Sequence, residues 1–202
     1  MSYIKFNGRW SERDLIEAIL SSSQASILGR NFPRVSVIGR RTKIHPDIDI
    51  LKIKDEKLIG FEVKIIKFKE REGWNWEEVY KGIGEALLYL QFGLDQCGLI
   101  LGFHQDVADE KIDEFCKELR KKKSILSQIL GRYFNFGIFL WEGGGIEEIT
   151  KAEGDFCYSS YQNKFYGKEI EKQRKILRNN LLNKEFLWDK RLAQECKYAE
   201  KW

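Results

Sequence analysis

Two alternating runs constrain this chain most: "IDILKIK" from Ile48 to Lys54 and "KLIGFEVKIIK" from Lys57 to Lys67, separated only by Asp55 and Glu56. Alternation rich in β-branched residues on both sides of a two-residue break predicts an antiparallel hairpin. Such a turn sets the register, placing Asp49 across from Glu62 and Asp47 across from Lys64 on one face. The other face carries Ile48, Ile50, Phe61 and Val63 and is the apolar contact that fixes the pairing. The hairpin therefore has to be half core and half a cluster of three acids and a lysine.

The rest of the chain supplies partners for that hairpin. With 202 residues, 43% of them hydrophobic, one substantial core can form. A helix is predicted from Ser11 in "SERDLIEAIL", with Ser as N-cap and Asp14 three residues on. On it Glu12 falls on the apolar stripe of Leu15, Ile16 and Ile19, which suits either a first-turn acid favoured by the helix dipole or a carboxylate serving a site. After the turn-rich "SSSQASILGRNFP", the stretch "RVSVIG" reads as a strand. "NWEEVYKGIGEALLYLQFG" has Val79, Ile83, Ala86, Leu87 and Leu90 on one stripe and predicts a helix ending near Gly93. The apolar "CGLILGF" then reads as a buried strand parallel to the one bearing Glu62, reached by a right-handed crossover. A helix over 109–129 leads to "FNFGIFLW" and, past three glycines, to "IEEIT", a second hairpin. The fold class expected is α/β, a mixed sheet flanked by helices. From Asp155 the texture becomes charged, aromatic and helical. Residues 1–154 are therefore expected as the core and 155–202 as a C-terminal helical extension that packs on it or forms a dimer contact.

Several classes are excluded. No apolar run reaches the roughly 18–20 residues that span a bilayer and the first residues lack a secretory stretch, so an intracellular, cytoplasmic protein without membrane partners is expected. Cys97, Cys116, Cys157 and Cys196 show no CxxC spacing, which argues for reduced structural thiols and against zinc. The net charge of +4 permits a polyanionic partner. Arg30, Arg34, Arg40, Arg41 and Lys43 occur without an intervening acid and read as DNA-backbone contacts, or as a solvated strand edge.

Carboxylates crowded on one face repel one another, and a divalent cation relieves that repulsion. All-oxygen donors select Mg²⁺ or Mn²⁺, and a neighbouring ammonium can orient water or neutralise charge developing on a phosphate. These elements, "GRWSERDLIEAIL", "PDIDIL", "FEVK" and "YKGIGEALLYLQFG", occur in the order of the PD-(D/E)XK, or restriction-endonuclease-like, nuclease superfamily, which the chain resembles over roughly Gly8 to Gly102. Within it the chain is most similar to archaeal Holliday-junction resolvases and archaeal-virus nucleases. The resemblance implies a restriction-endonuclease-like fold and a homodimeric, metal-dependent DNA endonuclease with no small-molecule cofactor. It also implies metal binding by Glu12, Glu62 and an aspartate, and catalysis by Lys64; the proline of the motif points to Asp47, but the hairpin register and the "DIL" that follows select Asp49. Asp47, one step outward, would tune Lys64 or join a second metal. RecB-like members carry a Gln-x-x-x-Tyr motif on the later helix. Here Glu85 and Tyr89 have that spacing, with the Gln replaced, and make a second-tier pair on a flank away from the apolar stripe.

Other residues are less informative. His45 and His104 are solitary, and Lys121, Lys122 and Lys123 suit a solvated run. Trp74 and Trp76 suit either packing or stacking on an unpaired base. The competing expectation is a DNA-binding or assembly protein that keeps the nuclease fold and cleaves nothing.

Overall fold

A computed structural model of the chain describes residues 5–6, 11–21, 30–35, 48–54, 57–126, 130, 134, 136–142, 145–148, 163, 165 and 167–182. The elements in order are β1 (Lys5–Phe6), α1 (Ser11–Ser21), β2 (Arg30–Val35), β3 (Ile48–Lys54), β4 (Lys57–Ile66), β5 (Phe68–Lys69) and β6 (Gly73–Trp74). They continue with α2 (Trp76–Leu88), a 3₁₀ turn (Tyr89–Phe92), β7 (Gln96–His104), α3 (Asp109–Leu126), β8 (Phe136–Glu142), β9 (Gly145–Glu148) and α4 (Lys168–Leu182).

The main sheet runs β2-β3-β4-β7-β8-β9, with β1 added beside the end of β7. The β3–β4 hairpin is antiparallel, from Lys54↔Lys57 to Ile50↔Phe61. Strand β7 lies parallel to β4, from Ile59↔Gln96 to Ile66↔Phe103, and parallel to β8 on its other side. Strands β8 and β9 close the far end as an antiparallel pair. This is the mixed α/β sheet expected. Helices cover both faces, which is why β7 is buried along its whole length and reads as a continuous apolar run. On one face α1 packs Leu15, Ile16 and Ile19 into a cluster with Ile50, Phe61, Val63 and Trp141. On the other, Val79 and Ala86 of α2 and Phe115 and Leu119 of α3 pack with Leu51, Leu58, Leu99 and Ile138.

Two expectations need correction. Strand β2 occupies Arg30–Val35 rather than starting at Arg34, so "RNFP" is strand and not turn. Pro33 sits across from Ile50, and its missing N–H is tolerated because β2 is the sheet's edge. Ile48 does not share a face with Ile50, because it joins the cluster under α2 and α3. Its Cγ2 lies 3.4 Å from where a Cβ on Gly60 would stand. The β3–β4 ladder ends at Ile50↔Phe61, and the alternation breaks there. Trp74 and Trp76 are packing residues. Trp74 meets Phe68, Phe103 and Phe115, and Trp76 stacks on Phe115 with centroids 5.0 Å apart.

The described part of the C-terminal extension packs on the core. Leu177 of α4 is buried in the larger cluster, and Arg174 pairs with Asp95 just before β7. Cys97 and Cys116 are buried, whereas Cys157 and Cys196 lie outside the described residues. No described helix is long and apolar enough to cross a membrane.

Candidate active site

Strand β4 continues to Ile66 after its ladder with β3 has stopped at Phe61, and the charged residues gather along this extension. Beyond that point Asp49 replaces the ladder. Its Oδ2 accepts a hydrogen bond from the Val63 backbone N–H at 2.9 Å, so a side chain serves a strand donor that regular pairing has left. Asp49, Glu62 and Lys64 are 7%, 5% and 6% exposed.

Lys64 is the centre of the cluster. Its Nζ lies 2.5 Å from Glu62 Oε1, 2.9 Å from Glu85 Oε2 and 3.9 Å from Glu12 Oε1. Glu12 comes from the first turn of α1 on one side of the sheet and Glu85 from α2 on the other, so the two helices bracket one ammonium. The Tyr89 hydroxyl, from the 3₁₀ turn that ends α2, donates to Glu62 Oε2. Gly82 makes the approach of α2 close enough. A Cβ there would stand 2.9 Å from Lys64 Cγ and 2.6 Å from Leu99 Cδ1.

Electrostatics follow from this crowding. Burial and the neighbouring Asp49 push the Glu62 carboxyl up to about 9, against the opposing pull of Lys64 and Tyr89. For Lys64, burial works against the charge, but Glu62, Glu85 and Glu12 outweigh it and hold the ammonium above its ordinary value. Burial would raise Glu85, yet its hydrogen bonds to Lys64 and Glu62 and the charges of Lys64 and Lys81 together outweigh it and hold the carboxyl below its ordinary value. The Tyr89 phenol is raised well above its normal value by burial and by the surrounding acids, so it remains a donor. At neutral pH the cluster thus holds a charged lysine, balanced by Glu85, beside a carboxyl that retains a proton.

The structure brings together Glu12, Glu62, Lys64, Glu85 and Tyr89, with Asp49 beside Glu62 on the neighbouring strand. Asp47, Arg40, Arg41, Lys43 and His45 lie outside the described residues, and Arg30 and Arg34 lie on the edge strand β2. His104 is nearly buried at the end of β7, with Nδ1 3.1 Å from Asp106, away from the cluster. Tyr89 differs from expectation in being fully buried rather than on an outward flank. Gly82 carries no sequence signal of its role, since a glycine in a helix is marked only by what a larger residue would strike.

The oxygen donors of Asp49 and Glu62 are chemically suited to Mg²⁺ or Mn²⁺. Their present arrangement is centred on the Lys64 ammonium, and both Glu62 oxygens are hydrogen-bonded. Among the described residues no three His, Cys, Asp or Glu side chains are grouped to hold a metal. Asp49 and Glu62 would be the residues to hold such a cation, which would supply Lewis-acid chemistry there. Comparison of the chain with protein-family models, with curated proteins and with solved structures finds no match in any of the three.

Proposed function

We propose that this chain is a metal-dependent DNA endonuclease of restriction-endonuclease-like fold, hydrolysing phosphodiester bonds with structure-specific, resolvase-like preference. One observation carries the reading: a buried Glu62-x-Lys64 pair on a central strand, met by Asp49 from the paired strand and by acids from helices on both faces. Mg²⁺ or Mn²⁺ held by Asp49 and Glu62, with Glu12 completing the set, would polarise the phosphate and lower the pKa of a bound water. Lys64, kept cationic by Glu62, Glu85 and Glu12, would neutralise charge developing on the phosphate and orient the attacking water. Arg30, Arg34, Arg40, Arg41 and Lys43 hold the DNA backbone and make affinity salt-sensitive. The protein acts as a homodimer, with paired sites cutting two strands.

A second reading is favoured by the engagement of both Glu62 oxygens and the absence of a three-acid metal group among the described residues. On that reading the nuclease fold binds or organises DNA without cutting it. Incubation with linear duplex, flap, single-stranded and four-way-junction DNA, in Mg²⁺, Mn²⁺ and chelator, separates the two. Cleavage that needs the cation and is strongest on the junction supports the endonuclease. DNA binding with no cleavage of any substrate supports the second reading.

A further inference from the structure

The turn that carries Tyr89 is held from outside the sheet. Asn163 donates through Nδ2 to two backbone carbonyls of this segment, Leu90 O at 2.7 Å and Leu94 O at 2.9 Å, and is itself buried. Its Oδ1 accepts from the Phe165 N–H at 2.9 Å, which fixes the amide's orientation. From α4, Arg174 donates to Gly93 O at 3.3 Å and pairs with Asp95 Oδ1. The other Asp95 oxygen accepts from Leu58 N–H at 2.8 Å, tying the same point to the start of β4. Gly93 adopts φ +86°, and a Cβ there would stand 2.6 Å from Arg174 Cβ and 2.9 Å from Ile170 O. Helix α4 therefore docks where only glycine lets it approach.

We propose that the C-terminal segment is a positioning element for the site: Asn163 and Arg174 fix the Tyr89–Asp95 turn and, through it, the Tyr89 hydroxyl that holds Glu62. This rests on the reading of Glu62 as a functional carboxylate, while the mechanical link itself does not depend on cleavage. The turn needs such support. A 3₁₀ segment of four residues has poorer hydrogen-bond geometry than an α-helix. Leu90 O accepts the Gly93 N–H at 3.3 Å, and Asn163 gives it a second donor; just past the segment Asn163 also serves Leu94 O and Arg174 serves Gly93 O. Release of these bonds lets the turn relax and the phenol withdraw from Glu62. The carboxylate is then free to take other rotamers, and misplacement of about 1 Å at a reacting group costs on the order of 100-fold in rate.

The experiment is carried out on the full chain labelled with ¹³Cζ-tyrosine, the Tyr89 resonance being assigned by its absence in Tyr89→Phe. Arg174→Ala and Asn163→Ala should move that resonance toward the position of a water-exposed phenol, Arg174→Lys should move it less, and Lys175→Ala on the exposed side of α4 should leave it in place. On a cleaved DNA substrate kcat should fall about 10- to 100-fold in Arg174→Ala with KM little changed. In a Tyr89→Phe background Arg174→Ala should cause no further loss of kcat. If Arg174→Ala does not fold, Asn163→Ala and Arg174→Lys carry the same readouts. An unmoved Tyr89 resonance in folded Asn163→Ala and Arg174→Lys overturns the proposal, as does a full additional loss of kcat in the Tyr89→Phe background. A shifted resonance in a protein that cleaves no substrate supports the positioning link and counts against the endonuclease alone.

Discussion

Lys64 Nζ lies 2.5 Å from Glu62 Oε1 in a setting where neither residue is more than 6% exposed. Burying an ammonium beside a carboxyl costs more than their interaction returns unless further polar groups complete the set, and an apolar pair of similar size would often stabilise such a core better. Here Glu85, Glu12 and Tyr89 complete it. A cluster of this kind on a central strand suits the proposed chemistry better than it suits stability.

The Glu62 carboxyl gives stability a distinct pH dependence. Its folded value of about 9 lies above the ordinary 4.5, so the native state binds this proton more tightly than the unfolded chain does. The associated stability is fully present below about pH 4.5 and is lost as pH rises through about 9. Glu62→Gln cannot titrate. Urea unfolding at pH 5, 7 and 9 should show the variant gaining on the native protein by at most about 1.4 kcal/mol per pH unit across this window. Parallel stability curves for the two proteins would mean that Glu62 is ionised throughout.

Lys64→Met separates cation binding from catalysis. The thioether fills the stem's space while the ammonium that competes for Glu62 is gone, leaving Glu62, Glu85 and Glu12 without their shared countercharge. Mn²⁺ should raise the melting temperature of Lys64→Met by more than that of the native protein, and DNA cleavage should be lost. A smaller Mn²⁺ effect in the variant would place the cation elsewhere.

Two glycines of α2 make a paired test of the helix's approach. A Cβ on Gly82 would strike Leu99 and the Lys64 stem, whereas one on Gly84 meets nothing within 4 Å. Gly82→Ala should destabilise by about 1–3 kcal/mol through overpacking and disturb Lys64. Gly84→Ala should stabilise by roughly 0.4–1 kcal/mol, since alanine restricts the unfolded chain and suits a helix. Chemical denaturation of both variants checks the contrast.

These positions also show where the sequence could and could not be read. The hairpin, its register and the parallel return through β7 were legible because a period of two, a two-residue break and a continuous apolar run each have few structural solutions. The Asp49–Glu62 neighbourhood followed from that register. Ile48 was misread because its face depends on where the ladder stops, which side-chain capping by Asp49 decides. Pro33 looked like a turn residue because the edge position that tolerates it is a property of the whole sheet. Tyr89 was assigned to an outward flank because the apolar stripe of α2 was drawn through Ile83 and Leu87. Gly82 lets the helix roll toward Lys64, so Val79, Gly82, Ala86 and Tyr89 form the buried side and Ile83 and Leu87 are only partly covered. The clasp by Asn163 and Arg174 joins residues about 70–80 apart by backbone carbonyls, which no side-chain pattern announces.

The two aspartates ahead of the hairpin provide the sharpest separation. Asp49 has a structural duty, accepting the Val63 N–H, and an electrostatic one, since its charge raises Glu62. Asparagine keeps the first, because its amide oxygen accepts the same bond, and removes the second. Asp49→Asn should therefore fold normally, hold Glu62 closer to the ordinary carboxylate range and lose Mn²⁺ affinity together with cleavage. Asp47 falls outside the described residues, and the sequence alternation alone gives the expectation that it stands opposite Lys64. Asp47→Asn should only weaken cleavage and leave Mn²⁺ affinity near that of the native protein. Calorimetric Mn²⁺ titration and cleavage assays on both variants decide the matter. Abolished cleavage in Asp47→Asn with near-normal cleavage in Asp49→Asn would transfer the metal to Asp47.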